Sequence, residues 1–158
     1  KLIATHYPAF VMIAHAAFPN SKYQISDNVG RNVPSSLNGK FVTDLLRNEL
    51  NFGGISITDD LEMGAILNNY GIGPACVMAV NAGEDMLAIC AERDNIIAGR
   101  DAVVDAVERG VIAVERIDQA VERIERGRQR LSSPSEFNAE RLAELSDEIA
   151  EFNQHLNR

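Results

Sequence analysis

The sequence predicts an α/β fold built on a parallel sheet. Three observations carry this expectation. Apolar runs short enough for buried strands occur three times, helix-period segments alternate with them, and glycine or proline punctuates most junctions. Such alternation implies right-handed crossovers between parallel strands. Three strands leave two open edges and an apolar face to be covered, so the chain is expected to be part of a larger sheet or barrel.

The first strand lies in the apolar run Ala9 to Ala17, "AFVMIAHAA", interrupted only by His15. Phe18, Pro19 and Asn20 stop it, and residues 20 to 34 read as a loop. Ser35 or Ser36 is expected to cap a helix whose apolar positions are Leu37, Phe41, Leu45 and Leu46. Gly53 and Gly54 then turn the chain into a second strand, Ile55 to Thr58, which runs directly into Asp59. A glycine-containing loop follows through Gly71 and Gly73, and Pro74 is placed to open a helix that Gly83 closes. The third strand is Asp85 to Ile89. Helices are expected from about Asp94 to Arg109, stopped by Gly110, and from Glu115 to Leu131, with Ile117, Ala120, Val121, Ile124 and Leu131 on one side. "SSPS", Ser132 to Ser135, marks a break. Beyond it, Leu142, Leu145, Ile149, Phe152 and Leu156 form a narrow stripe on a tail helix, suited to one partner helix or to folding back as a cover.

The chain has 158 residues, 46% hydrophobic, which suits one packed domain. Fifteen basic against 23 acidic residues give a net charge of -8, which argues against nucleic acid or an anionic membrane as partner. No apolar run reaches the ~20 residues of a membrane helix. No signal peptide opens the chain, so a cytoplasmic location is expected, with secretion the alternative if a preceding segment carries a signal. The first residue is Lys1, which suggests a processed chain or a fragment. Cys76 and Cys90 match no metal spacing and read as buried thiols.

In parallel α/β folds the functional groups gather at the carboxyl ends of the strands. Here those ends carry His15, Asp59 and Cys90. A carboxylate at a strand end is held by rigid backbone, which suits a nucleophile or a metal ligand. The metal alternative would draw on Asp59, Asp60 and Glu62. Adjacent carboxylates point to different sides, however, so Asp59 and Asp60 are not expected to share one ion. A capping or structural role for the aspartates is the third reading.

The stretch "LLRNELNFGGISITDDLEMGAI", Leu45 to Ile66, resembles the signature region of family 3 glycoside hydrolases, in particular the bacterial β-N-acetylhexosaminidases. The similarity extends collinearly through "VMIAH" (Val11 to His15), "PSSL" (Pro34 to Leu37), "NAGEDMLAIC" (Asn81 to Cys90) and "AVERGVIAVERIDQAVERI" (Ala106 to Ile124). It covers roughly Val11 to Leu131.

The resemblance implies the last three β/α units of a (β/α)8 TIM-type barrel plus C-terminal helices. Residues 1–133 would form the C-terminal portion of the catalytic barrel and residues 134–158 a helical extension. It implies Asp59 as nucleophile of a retaining reaction, with His15 and Met63 near the sugar and Asp60 shaping the turn. Related β-glucosidases tend to carry Trp after the nucleophile, so Asp60 and Leu61 favour the N-acetylglucosamine branch. The implied ligand is a saccharide containing N-acetylglucosamine, such as a peptidoglycan-derived sugar, and the resemblance implies no metal and no organic cofactor. In that branch the acid/base is a His partnered by an Asp on a loop earlier in the barrel, and this sequence has no such loop. The chain alone is therefore expected to be inactive and to need the missing barrel half or a homo-oligomer. The alternative is a non-catalytic barrel fragment or binding module completed by another chain.

Overall fold

The computed structural model describes residue 3, residues 8–133 and residues 136–156. The boundary drawn between residues 133 and 134, and half of the "SSPS" break, fall at Pro134 and Ser135, outside the described residues. The elements run β1 (Phe10–Ile13), a 3-10 turn (Ser35–Leu37), α1 (Lys40–Glu49), β2 (Ile55–Asp60), α2 (Gly64–Leu67), α3 (Ile72–Ala82), β3 (Met86–Ala88), α4 (Arg93–Glu108), α5 (Val114–Arg128) and α6 (Ala139–Leu156). The strands form one parallel sheet in the order β1-β2-β3. The α/β class and the element order are those expected.

Several local expectations are corrected. Ser35 and Ser36 are buried in the 3-10 turn and cap no helix. The Ser35 hydroxyl donates to the carbonyls of Ala14 and Ala16, and Asn38 Oδ1 accepts the Lys40 amide instead, at 2.9 Å. α1 is wound in π register and buries Val42 and Leu46, while Phe41 turns to the rings of Phe18 and Tyr23. Helix α3 starts at Ile72, two residues before Pro74. A proline is harmless in a first turn, whose amides have no helical partner. The short helix α2 occupies part of the expected loop. Cys90 is exposed, whereas Cys76 is buried and its thiol is pushed up to about 11 by desolvation.

Gly83 ends α3 with φ of 116°, and its amide reaches the carbonyls of Ala79 and Val80. A Cβ there would stand 2.6 Å from Thr43 Oγ1, so both conformation and space require glycine.

The two faces of the sheet differ. Pairing aligns Phe10 with Ile55 and Met12 with Ile57 on one face, and Val11 with Ser56 and Ile13 with Thr58 on the other. Ser56 and Thr58 are fully buried. The main core lies on this side, where Leu37, Leu61, Ile66, Ala75, Cys76 and Ala79 pack together with Leu87 and Ile89 against them. The opposite face is open, with Phe10 52% and Met12 61% exposed. Helix α5 crosses the amino end of the sheet, where Gly127 lies against Ile55 and Arg116 donates to the carbonyls of Val80 and Glu84.

Helix α6 buries none of its side chains, so the expected fold-back onto the sheet is not found. Val121 and Leu131, expected on the packed side of the preceding helix, are likewise exposed. Deleting residues 134–158 should leave the stability of the remainder unchanged within about 0.5 kcal/mol, as for surface changes generally. Thermal unfolding of the two forms checks this, and a fall of several degrees would show that the tail covers the core after all. No helix among the described residues is long and apolar enough to cross a membrane.

Candidate active site

The carboxyl ends of the three strands converge on the turn Asp59–Met63. Thr58 and Leu61 both turn into the helix layer and are fully buried. They are three residues apart, which strict alternation does not allow. The pairing with β3 shows the cause. Ile57 faces Met86 and Asp60 faces Ala88, so β2 holds one extra residue in this interval. A bulge of this kind re-aims side chains, and here it leaves Asp59 and Asp60 both half-buried, away from the helix layer.

Each carboxylate is held differently. Asp59 Oδ1 accepts the amide of Asp60 at 2.9 Å. Among the described residues its other oxygen, Oδ2, has no hydrogen-bond partner. Asp60 Oδ1 accepts the amide of Glu62 at 3.0 Å and so closes the turn. Glu62 reaches across to the next unit. Its oxygens accept the amides of Ala91 and Glu92 and the side-chain amide of Asn95, 2.7 Å away. These bonds, led by the one from Asn95, hold the Glu62 carboxyl below its ordinary value. The carboxylate also sits at the start of α4, where the helix dipole favours an anion.

His15 sits half-buried beyond the end of β1. Its Nδ1 lies 2.7 Å from Ser36 Oγ and its Nε2 2.9 Å from the carbonyl oxygen of Asp60. Both ring nitrogens are thus occupied by protein groups, which leaves no polar atom of His15 for a saccharide. Met63 is 45% exposed beside the turn. Cys90 closes the third corner. Its thiol is held above the ordinary range, first by desolvation and then by the neighbouring carboxylate of Asp60. The metal alternative loses Glu62, whose oxygens are spent on the α4 junction. Among the described residues no group of three or more His, Cys, Asp or Glu is arranged to hold a metal ion.

Comparison with known proteins gives this arrangement a context. The sequence matches the glycosyl hydrolase family 3 N terminal domain over residues 1–126. The chain belongs to glycosyl hydrolase family 3. Among relatives, β-hexosaminidase A of Pseudoalteromonas piscicida is 32% identical over 89 residues, 54% of this chain and 15% of that protein. A β-hexosaminidase of Nitrosomonas eutropha is 35% identical over 85 residues, 54% of this chain and 22% of that protein. A family 3 β-N-acetylglucosaminidase structure from Paenibacillus sp. str. FPU-7 superposes with a TM-score of 0.70 at 34% identity, covering 83% of this chain and 24% of that one. The chain therefore spans less than a quarter of the length of each of these three proteins.

At the opposite, amino end of the sheet is a buried ionic cluster that the sequence reading missed. The Asp85 side chain is fully buried and takes three arginines, Arg47 at 2.6 Å and Arg116 and Arg123 at 2.9 Å. It also accepts the amide of Ser56. The signal in the sequence is a seven-residue echo, Val114–Ile117 and Val121–Ile124, too short to count as a repeat unit. It places Arg116 and Arg123 two turns apart on one face of α5. In β/α folds generally, groups at this end of the strands serve stability rather than chemistry.

Glu84 lies beside the cluster at 1% exposure, and neither carboxyl oxygen has a hydrogen-bond partner in good geometry. Burial pushes its carboxyl up to about 8, against weaker opposing pulls from Ser56 and Arg47. Between the ordinary carboxyl value of 4.5 and about 8, the native state holds a proton that the unfolded state has released. Stability should therefore fall as pH rises through this window, by up to ~1.4 kcal/mol per pH unit. Glu84→Gln should remove this slope and be the more stable form at pH 8. Denaturant melts at pH 5 and pH 8 check it. Parallel pH dependence of the two proteins would mean that Glu84 ionises normally.

Proposed function

We propose that this chain is the nucleophile-bearing part of a retaining β-N-acetylhexosaminidase that removes terminal β-linked N-acetylglucosamine, as from peptidoglycan-derived sugars in the cytoplasm. One observation carries the reading. In a family 3 chain, Asp59 sits at the carboxyl end of β2 with Oδ2 free of any hydrogen-bond partner among the described residues.

In this mechanism Asp59 Oδ2 attacks the anomeric carbon as the glycosidic C–O bond breaks, and a proton donor neutralises the leaving oxygen. Water, giving up a proton to the group that served as donor, then attacks the anomeric carbon from the face the leaving group vacated, opposite Asp59, and releases the carboxylate, so configuration is retained. The exposed Met63 side chain lies against the apolar face of the sugar. Neither His15 nor Glu62 is free to be the proton donor, since both are engaged elsewhere, and the donor is assigned to the part of the enzyme beyond the described residues. Acid/base help is worth ~10² to 10⁴-fold, so the chain alone turns over no substrate at a useful rate. The open face with Phe10 and Met12, and the free edges of β1 and β3, support a place among the last three units of a (β/α)8 barrel.

The same open edges support a second reading, a non-catalytic module completed by another chain. An aryl N-acetyl-β-glucosaminide separates the two. We expect no hydrolysis by residues 1–158 alone and hydrolysis by the intact protein, with a fluorinated N-acetylglucosaminyl fluoride trapped on the peptide that holds Asp59. An intact protein that binds the sugar without turnover or trapping would leave only the binding module.

A further inference from the structure

We infer that His15 and Ser36 form a positioning pair that fixes the direction of the Asp59 carboxylate. The inference rests on the reading of Asp59 as nucleophile and adds two residues that act through it.

The Asp60 carbonyl oxygen can only accept, so His15 Nε2, 2.9 Å away, carries a proton and donates it. In the neutral ring Nδ1 then has a lone pair, and the hydroxyl of the buried Ser36 donates to it at 2.7 Å. Ser36 thus selects the tautomer that His15 needs, in the way a neighbouring group commonly sets which ring nitrogen is protonated.

The constraint passes from His15 to Asp59 in two steps. The Asp60 carbonyl accepts from His15 and also from the amide of Met63 at 3.0 Å, while the Asp60 carboxylate is held by the amide of Glu62. With those groups fixed, the Asp60 amide has one direction, towards Asp59 Oδ1. That bond turns Oδ1 to the backbone and leaves Oδ2 for the open side. His15, 45 residues before Asp60, and its partner Ser36 both come from the preceding β/α unit, and His15 alone of the two touches the turn among the described residues. It therefore ties the turn to a strand that does not carry it. A nucleophile displaced by 1 Å can lose ~10²-fold in rate, which is the scale on which such a tie acts.

The test is kinetic, in the intact protein with an aryl N-acetyl-β-glucosaminide. His15→Ala should lower kcat about 10²-fold and change KM by less than about 3-fold, because the substrate is still bound but the nucleophile is misdirected. His15→Gln should recover turnover to within about 10-fold of the parent, since its amide nitrogen falls near the place of Nε2 and carries a proton for the Asp60 carbonyl. Ser36→Ala should fall between these two. A rise in KM at unchanged kcat would overturn the proposal in favour of direct sugar contact. A Gln variant no better than Ala would also overturn it. Asp59→Asn in the same assay separates the two levels: full turnover there sinks the nucleophile reading itself, whatever His15 does. Should His15→Ala fail to fold, the imidazole nitrogen resonances of the unsubstituted chain decide. They should show His15 with its proton on Nε2, and a proton on Nδ1 alone would overturn the assignment.

Discussion

Asp59→Asn in the intact protein should lower turnover of an aryl N-acetyl-β-glucosaminide by roughly 10³-fold or more, with KM little changed. The amide keeps the shape of the side chain and can still accept the Asp60 amide proton through its oxygen. What it lacks is the negative charge and nucleophilicity at Oδ2, which the first step requires. Asp60→Asn is a useful contrast. Its oxygen also retains the bond to the Glu62 amide, so the turn survives and the loss should be about tenfold or less. Comparable losses in both variants would mean that the two carboxylates work as a pair and that the assignment to Asp59 alone is wrong. Loss on neither would remove this turn from the chemistry.

The largest stability effect is expected at Asp85. Asp85→Ala removes the single anion that neutralises Arg47, Arg116 and Arg123, whose side chains are 9%, 13% and 21% exposed. Breaking a buried pair from one side typically costs about 3–5 kcal/mol, because the charges left behind lose their counter-ion and have little water to replace it. Against the ~5–15 kcal/mol by which domains are stable, this is enough to unfold much of the population near physiological temperature. Urea denaturation of the variant measures it. A cost below about 1 kcal/mol would show that solvent or Glu84 takes over the arginines. Glu84 is placed to respond, and loss of Asp85 should draw its carboxyl back down towards the ordinary range.

The order of elements was legible in the sequence because buried parallel strands and helices differ in length and period, and because Gly83 and Gly110 mark helix ends directly. Both glycines have positive φ, at 116° and 71°. Element boundaries were less legible. The start of α3 is set by Gly71, while the eye goes to Pro74. Ser35 and Ser36 look like caps in sequence, but in space they face β1 and His15. At the candidate site, the strand-to-aspartate junction and the family motif singled out Asp59 in the sequence, and the structure sets it at the carboxyl end of β2. The bulge that aims Asp59 was not legible, since it depends on the register with β3, and neither was the use of both His15 nitrogens. The Asp85 cluster escaped because its four members are far apart in sequence and become neighbours only through the sheet.

That separation has a consequence for synthesis. Asp85 meets Arg47 across 38 residues already made, but Arg116 and Arg123 lie 31 and 38 residues ahead of it. While the chain emerges from the ribosome, the β1–β2–β3 sheet can form before its central carboxylate has more than one counter-charge. Only when α5 has cleared the exit tunnel can it swing under the strands and complete the set. The sheet's final locking step is therefore tied to the arrival of a late helix, and a nascent chain that stalls before Arg123 holds an exposed sheet end for chaperones to find.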